Sequence, residues 1–216
     1  MAVLSGLNII ALTDHNTAKN CPAFFEAAKQ YGLIPIAGME LTTSEDIHVI
    51  CLFEELSEAL LFDKYIEGRR VLIKNRPEIF GEQQILDGED NVISCEEHLL
   101  SNATTVSIEE VHALVSRFNG VCYPAHIDRD ANGIIAILGT IPPDSEFKYF
   151  ELHDKGKTAE YCRRFGIDEK NIIISSDAHY LTDIRDKESF FELDDEPYSS
   201  ALVRRQLFKM LKGDAS

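Results

Sequence analysis

Imidazole and carboxylate side chains recur at the ends of short apolar stretches in this 216-residue chain. In α/β folds, such strand ends meet at one edge of the sheet, where functional sites are built. Histidine and carboxylate ligands without a thiolate cluster suit Zn²⁺, Mn²⁺ or Fe²⁺. The sequence therefore predicts a centre for divalent metal ions, with the candidate ligands His15, Glu40, His48, His126, Asp177 and His179.

The recurrence of these residues carries the prediction, because each one alone has an ordinary structural explanation. A single histidine of this kind can be a hydrogen-bonded core residue, whereas several buried imidazoles and carboxylates together need shared partners, which a metal supplies. Asp14 lies on the opposite strand face from His15, so it either caps the following turn or orients a ligand histidine. Asp177 and His179 point to the same side if their strand end stays extended.

Two more residues near these strand ends are candidates for substrate binding. Arg129 follows His126 by three residues, and its guanidinium could bind a phosphate through two hydrogen bonds, although a solvated loop arginine is the commoner case. His153 follows a predicted strand, where it could contact substrate, support a ligand or bind metal. The residue types alone leave these alternatives open.

Apolar, β-branched stretches alternate with helical patterns along the chain. The stretches lack polar alternation, which indicates strands buried on both faces. They are Asn8–Thr13, Ile34–Leu41, Ile47–Phe53, Gly120–Ala125, Phe147–Leu152 and Asn171–Ser176. The predicted helices are Pro22–Tyr31, Leu56–Asn75, Ser107–Phe118, Thr158–Phe165 and Ser199–Leu211. This order predicts a parallel sheet, open or closed, with right-handed crossovers.

One segment, residues 76–105, interrupts the alternation. It holds two short apolar stretches around the turn-forming residues Asp87–Asn91, which predicts an inserted hairpin or lobe. The length of the chain otherwise suits a single domain over residues 1–216.

Composition narrows the functional classes. A net charge of −16 argues against long nucleic acid as a partner, because affinity for phosphate chains depends on Lys and Arg. No stretch approaches the roughly 18 apolar residues of a membrane span. The five scattered cysteines contain no C-x-x-C pair and fit reduced thiols, so we expect a cytoplasmic protein without a membrane partner.

The ordered motifs resemble the PHP family, the polymerase and histidinol phosphatase domains, and its stand-alone phosphoesterases. The motifs are G-L-N-I-I-A-L-T-D-H-N-T, G-L-I-P-I-A-G-M-E-L-T-T with I-H-V-I-C-L-F, Y-P-A-H-I-D-R and S-S-D-A-H. The resemblance implies a distorted (β/α)7 TIM-like barrel with up to three metal ions at its mouth. It also implies Glu40 as a bridging ligand and catalytic roles for Glu40, Asp177 and His179.

The sequence departs from the family pattern at its amino end. The family normally begins with a strand carrying H-x-H and a further acidic ligand, and neither precedes Thr13 here. We therefore expect the site of Glu40, His48 and His126 to keep its protein ligands, while the other two sites are incomplete and fewer than three ions bind. A start further upstream or a divergent remnant would explain the departure. Unpaired sheet edges would also favour a homo-oligomer.

The resemblance implies metal-dependent hydrolysis of a small phosphorylated substrate by metal-activated hydroxide, impaired by the missing ligands. A metal-binding PHP remnant without turnover is one alternative. An amidohydrolase-type enzyme is another, since that class also uses histidines at a barrel mouth. The T-D-H and D-A-H motifs favour the PHP interpretation over the amidohydrolase.

Overall fold

The computed structural model describes residues 1–194 and 196–213 and has the mixed α/β class that the sequence predicts. Its strands are β1 Ile9–Leu12, β2 Ile34–Thr42, β3 His48–Phe53, β4 Gln84–Leu86, β5 Val92–Cys95, β6 Val121–Pro124, β7 Phe150–Leu152 and β8 Ile172–Ile174. Its α-helices are α1 Cys21–Gln30, α2 Leu56–Glu67, α3 Pro77–Phe80, α4 Ile108–Arg117, α5 Ile134–Leu138, α6 Thr158–Phe165 and α7 Ser200–Lys212. Short 3-10 helices occupy Lys155–Lys157, Glu169–Asn171 and Leu181–Asp183.

The main sheet has the strand order β1-β2-β3-β6 and is not the parallel sheet that the sequence predicts. β1 runs parallel to β2, but β3 is antiparallel to both β2 and β6. The connection between β2 and β3 explains the difference, because the Thr43 N–H donates to the Ile47 carbonyl at 2.9 Å in a tight turn. A parallel pair would need a crossover of about a dozen residues or more.

The described strands do not close into the expected TIM-like barrel. β7 and β8 form a separate parallel pair, and β4 and β5 form an antiparallel hairpin. β1 and β8 are only half-buried, contrary to the prediction of burial on both faces, because each exposes one edge to a cavity. A cavity of about 850 Å³ lies between these two edges.

The main sheet is covered on both faces, which gives the molecule two apolar layers. On one face, α1, α2 and α4 pack over a core that includes Phe53 and Phe62. On the other face, Ile36 and Tyr123 pack against Phe208 of α7. Glu40 and His48 project from this second face, since alternate residues of a strand share a face.

Helix α2 ends at Glu67, eight residues earlier than the sequence predicts. Gly68 follows as its C-cap, and the chain then runs extended, with Arg70 bridged to Thr104 and Lys74 to His98. These bridges join the β4–β5 hairpin region to the end of α2. We call residues 69–105, which contain the predicted segment 76–105, the inserted lobe.

The remaining differences concern short elements. α5 and the three 3-10 helices have no counterpart among the predicted elements, because segments of three to five residues are too short to show a helical period. β7 begins at Phe150, three residues after the start of its predicted strand. No helix in residues 1–194 and 196–213 combines the length and apolar character needed to cross a bilayer.

Candidate metal centre

The carboxylate of Glu40 lies at the centre of three imidazole rings. Its Oε1 atom is 3.0 Å from Nδ1 of His48 and 3.2 Å from Nε2 of His126, and its Oε2 atom is 3.4 Å from Nδ1 of His15. Only 4% of Glu40 is exposed. The structure thus brings together four of the six predicted ligand residues at one buried point.

Strand pairing fixes three of these residues. Glu40 lies opposite Ile50, and His48 lies opposite Thr42, so Glu40 and His48 are diagonal neighbours on one sheet face. His15 follows β1 and is bridged to Glu40, because the Asn16 N–H donates to the Glu40 carbonyl at 3.0 Å. These ladders set the spacing of the side chains before any ligand binds.

His126 reaches the cluster through an unusual backbone conformation. It follows β6 with φ at 28°, a region that residues other than glycine rarely adopt. Glu151 of β7 holds this conformation on two sides: its Oε1 accepts from the His126 N–H at 3.2 Å, and its carbonyl accepts from the Ile127 N–H at 2.9 Å. Strain of this kind persists only where the surroundings impose it, as at functional sites.

The electrostatics of the cluster favour a cation. Burial raises the pKa of Glu40, but hydrogen bonds from His126 and His48 outweigh it and hold that pKa well below its usual range. Burial lowers the pKa of His15, which favours the neutral ring that metals bind. Among the described residues, Nδ1 of His15 and Nδ1 of His126 are buried without a hydrogen-bond partner. The orphaned Nδ1 of His15, beside the ionised carboxylate of Glu40, fits a divalent ion.

Glu151 is a buried carboxyl group that the sequence analysis missed. Burial, followed by the charge of Glu40, raises its pKa to about 8. It also lines the cavity beside the cluster. The one signal in the sequence was its position between Phe150 and Leu152, because an acid inside a short apolar strand needs a specific partner.

Asp177 and His179 flank the cluster instead of joining its centre. The ring of His179 lies 5.8 Å from that of His15, and 55% of its side chain is exposed. The strand end is not extended as assumed, since Asp177 has φ at 48°. The two side chains nevertheless lie on the same side, with His179 Nδ1 3.6 Å from Asp177 Oδ1.

Arg129 and His153 contact each other next to Asp177. Nη1 of Arg129 is 2.8 Å from Oδ2 of Asp177, and Nη2 is 3.2 Å from Nδ1 of His153. Arg185, which the sequence analysis missed, approaches the same ring, with Nη2 2.7 Å from Nε2 of His153. Arg185 lies in a loop without a motif, so its type and spacing gave no signal.

The carboxylate of Asp14 is held by Asn20, the residue that precedes helix α1. Its Oδ2 accepts a hydrogen bond from Nδ2 of Asn20 at 3.0 Å, and burial raises its pKa. Asn20 in turn accepts from the N–H of Leu86 in the inserted lobe at 2.9 Å. Of the two interpretations of Asp14, this geometry favours a supporting role at the start of α1.

Two solved structures share the fold of this chain. The lesion-specific endonuclease PfuEndoQ from Pyrococcus furiosus is 18% identical with a TM-score of 0.62. A structure of endonuclease Q with a 27-mer duplex substrate, which has an abasic lesion at the active site, is 14% identical with a TM-score of 0.52. Each likeness covers 100% of this chain and 50% of the other, so the chain spans about half their length. No curated protein matches the chain.

The family comparison agrees with the motifs around the cluster. The sequence profile of the PHP domain matches residues 1–160, which include His15, Glu40, His48 and His126. This match covers most of the 216 residues. The chain therefore belongs to the PHP domain family.

Proposed function

We propose that this chain is a metal-dependent phosphoesterase whose centre is built on Glu40. The observation that carries the proposal is the contact of one ionised, buried carboxylate with three imidazole rings. Such a group of side chains is costly without a cation, because buried polar groups require partners. Membership of the PHP family supports the same chemistry.

Glu40, His48 and His126 form the best-supported position for an ion, and we expect it to be the best occupied. His15, Asp177 and His179 extend the donor set towards further positions, and we expect fewer than three ions to bind in total. The oxygen and nitrogen donors suit Zn²⁺, Mn²⁺ or Fe²⁺. When bound, such ions lower the pKa of water and neutralise charge on phosphoryl oxygens.

The residues around this position have distinct proposed roles. Glu40 stays ionised and holds the imidazoles in place. His179 is more than half exposed beside the cavity, where its ring can give a proton to a departing alcohol. Asp177 lies between His179 and Arg129 and so connects the cluster to the substrate side.

A small phosphorylated compound is the proposed substrate. The net charge of −16 supports this choice over long nucleic acid. The likeness to endonuclease Q weakens the charge argument, since that protein has the same fold and its structure contains a DNA duplex. Nucleic acid therefore belongs among the substrates to be tested.

The experiment compares the wild-type protein with Glu40→Gln after removal of metal and addition of Mn²⁺ or Zn²⁺. Bound metal is measured by mass spectrometry, and hydrolysis is measured with p-nitrophenyl phosphate, its bis ester and an abasic duplex. We expect at least a 100-fold loss of kcat/KM in Glu40→Gln, on the order expected for losing a central metal ligand. Glu109→Gln, an exposed substitution on α4, is the matched control and should keep both metal and activity.

The same measurements separate the alternatives. A metal-binding protein without turnover would take up metal through Glu40 and hydrolyse none of the three substrates. An amidohydrolase-type enzyme would instead hydrolyse p-nitroacetanilide, added to the same assay as an amide substrate, in preference to the phosphoesters. Equal metal content in the wild type and Glu40→Gln would overturn the proposed centre.

A further inference from the structure

Two arginine side chains converge on the ring of His153. Nη2 of Arg129 and Nη2 of Arg185 each lie 3.2 Å from Nδ1 of His153. Two guanidinium groups that meet at a neutral ring repel each other, because neither can be deprotonated in a protein. The burial of His153, followed by the charges of Arg185 and Arg129, lowers the pKa of its imidazole, which favours a neutral ring that can accept from these guanidinium groups.

Of the two arginines, Arg129 has an acidic partner among the nearby carboxylates, and Arg185 has none within the described residues. Asp177 binds Arg129 at 2.8 Å, on the side that faces His179. Both carboxylate oxygens of Asp128 are used elsewhere, since they accept from the N–H groups of His153 and Asp154. Within residues 1–194 and 196–213, no carboxylate lies within ion-pair distance of Arg185.

The backbone around Arg185 holds its side chain at this place. Its Nη1 atom donates to the His153 carbonyl at 2.6 Å. The Lys187 N–H donates to the Ser5 carbonyl at 3.0 Å, which ties the loop to the start of the chain. Arg185 also lines the cavity that contains Glu40 and His179. A partly buried, fixed guanidinium without an acidic partner faces the same cavity as the candidate metal centre.

We propose that Arg185, together with Arg129, binds a phosphate group of the substrate beside the metal centre. The inference deepens the proposed function and rests on it for the choice of phosphate over other anions. Each guanidinium presents parallel N–H donors that match phosphate oxygens, and a shared anion would relieve the repulsion between them. The side chain of Asp177 contacts both Arg129 and His179, so only one side chain separates the arginine pair from the metal centre. A single phosphoester could therefore contact the arginines and the metal centre at the same time.

The test measures binding of orthophosphate to metal-free full-length protein by calorimetry, so that it does not depend on turnover. We expect Arg185→Ala to weaken binding by at least about tenfold, and Arg185→Lys to recover only part of the loss, because lysine lacks the paired donors. Arg163→Ala, at an exposed position on α6, is the control and should bind like the wild type. Circular dichroism confirms that each variant is folded.

A second readout uses hydrolysis by the metal-loaded protein. We expect Arg185→Ala to raise KM by about tenfold with little change in kcat, since the residue contacts bound phosphate without holding metal. Orthophosphate binding through Arg185 without any hydrolysis would refute the phosphoesterase and leave the anion site standing. Equal orthophosphate affinity in the wild type and Arg185→Ala, or no binding by the wild type, would overturn the inference.

Discussion

Glu151 shows how a single residue takes its chemistry from its surroundings. In the sequence it is one acid among 37 acidic residues, whereas in the fold it is buried on β7 against His126 of the candidate metal centre. Its hydrogen bond to the N–H of His126 favours the charged form, but burial and the charge of Glu40 favour the neutral form more strongly. Glu151 therefore keeps its proton at a pH where an exposed glutamate has lost it.

This proton makes stability depend on pH. The pKa of Glu151 rises from an ordinary value of 4.5 in the unfolded chain to about 8 in the folded chain. Between these values the folded state binds more protons than the unfolded state, so the stabilising effect of the neutral group is lost as pH rises. Glu151→Gln keeps the acceptor for His126 without an ionisable group. We expect it to gain stability over the wild type, by on the order of a few kcal/mol, between pH 5 and about pH 8.

Urea denaturation of both proteins in a chelator, at pH 5, 6.5 and 8, measures this difference. Glu109→Gln provides the control, because it makes the same chemical change at an exposed position on α4. A constant offset between the wild type and Glu151→Gln across the range would contradict a raised pKa for Glu151.

At the scale of elements, Asn16 links the main sheet to the inserted lobe. It is fully buried with φ at 50°, and its Nδ2 atom donates to the carbonyls of Leu100 and Asn102 at 2.7 and 2.9 Å. Its Oδ1 atom accepts from the N–H of Thr42 in β2 at 2.9 Å. One side chain thus satisfies backbone groups of two elements that are distant in sequence.

We expect Asn16→Ala to destabilise the protein by roughly 2–4 kcal/mol, since it leaves buried backbone groups unpaired and places alanine at positive φ. The loss should also appear as faster hydrogen exchange across residues 69–105. Asn102→Ala is the comparison. It removes a single, exposed hydrogen bond from Nδ2 of Asn102 to the Val71 carbonyl, so it should lower the free energy of unfolding by about 1 kcal/mol or less. Unchanged exchange in the lobe of Asn16→Ala would show that other contacts hold it.

The packing of β2 between β1 and β3 depends on a glycine. A Cβ atom at Gly38 would lie 2.8 Å from the Cys51 carbonyl oxygen and 2.8 Å from Cγ2 of Thr13. We expect Gly38→Ala to cost about 1–3 kcal/mol in urea denaturation, because backbone atoms cannot move aside cheaply. Gly68→Ala is the matched control: its Cβ would lie 3.6 Å from the Tyr65 carbonyl, so the change should be neutral or stabilising. Equal stability of both variants would contradict tight packing at Gly38.

At the scale of the whole molecule, the candidate metal centre joins strands that are far apart in the chain. His15 follows β1, Glu40 lies on β2, His48 begins β3 and His126 follows β6. An ion held by these residues would cross-link the complete main sheet. Metal binding and global unfolding should therefore be coupled.

Addition of Mn²⁺ or Zn²⁺ at about 100 times the dissociation constant should stabilise the folded state by about 2.7 kcal/mol. For a chain of this size, that corresponds to a rise in Tm of several degrees, at roughly 2–4 °C per kcal/mol. Chelation should reverse the rise. Glu109→Gln should show the full shift and Glu40→Gln little or none in a thermal scan; the same shift in both variants would place the binding site elsewhere.

The sequence by itself determined which histidines and acids were candidates for a metal site and where most of the main elements lie. The histidines and acids could be recognised because strand ends carry the chemistry of α/β folds, and helices α1, α4, α6 and α7 followed from their periodicity and caps. The early end of α2 was missed, since Val71 to Ile73 continue its apolar pattern beyond Gly68. Local patterns report local structure, and these elements depend mainly on local forces.

Only the tertiary structure decided which of these residues meet. The antiparallel path of β3, the open arrangement of the strands and the positive φ of His126 and Asp177 depend on contacts between distant segments. Glu151 and Arg185 became candidates for the same reason, because the pKa of a carboxyl and the pairing of an arginine are set by neighbours in space. The spacing of residues along the chain does not show which residues are neighbours in space.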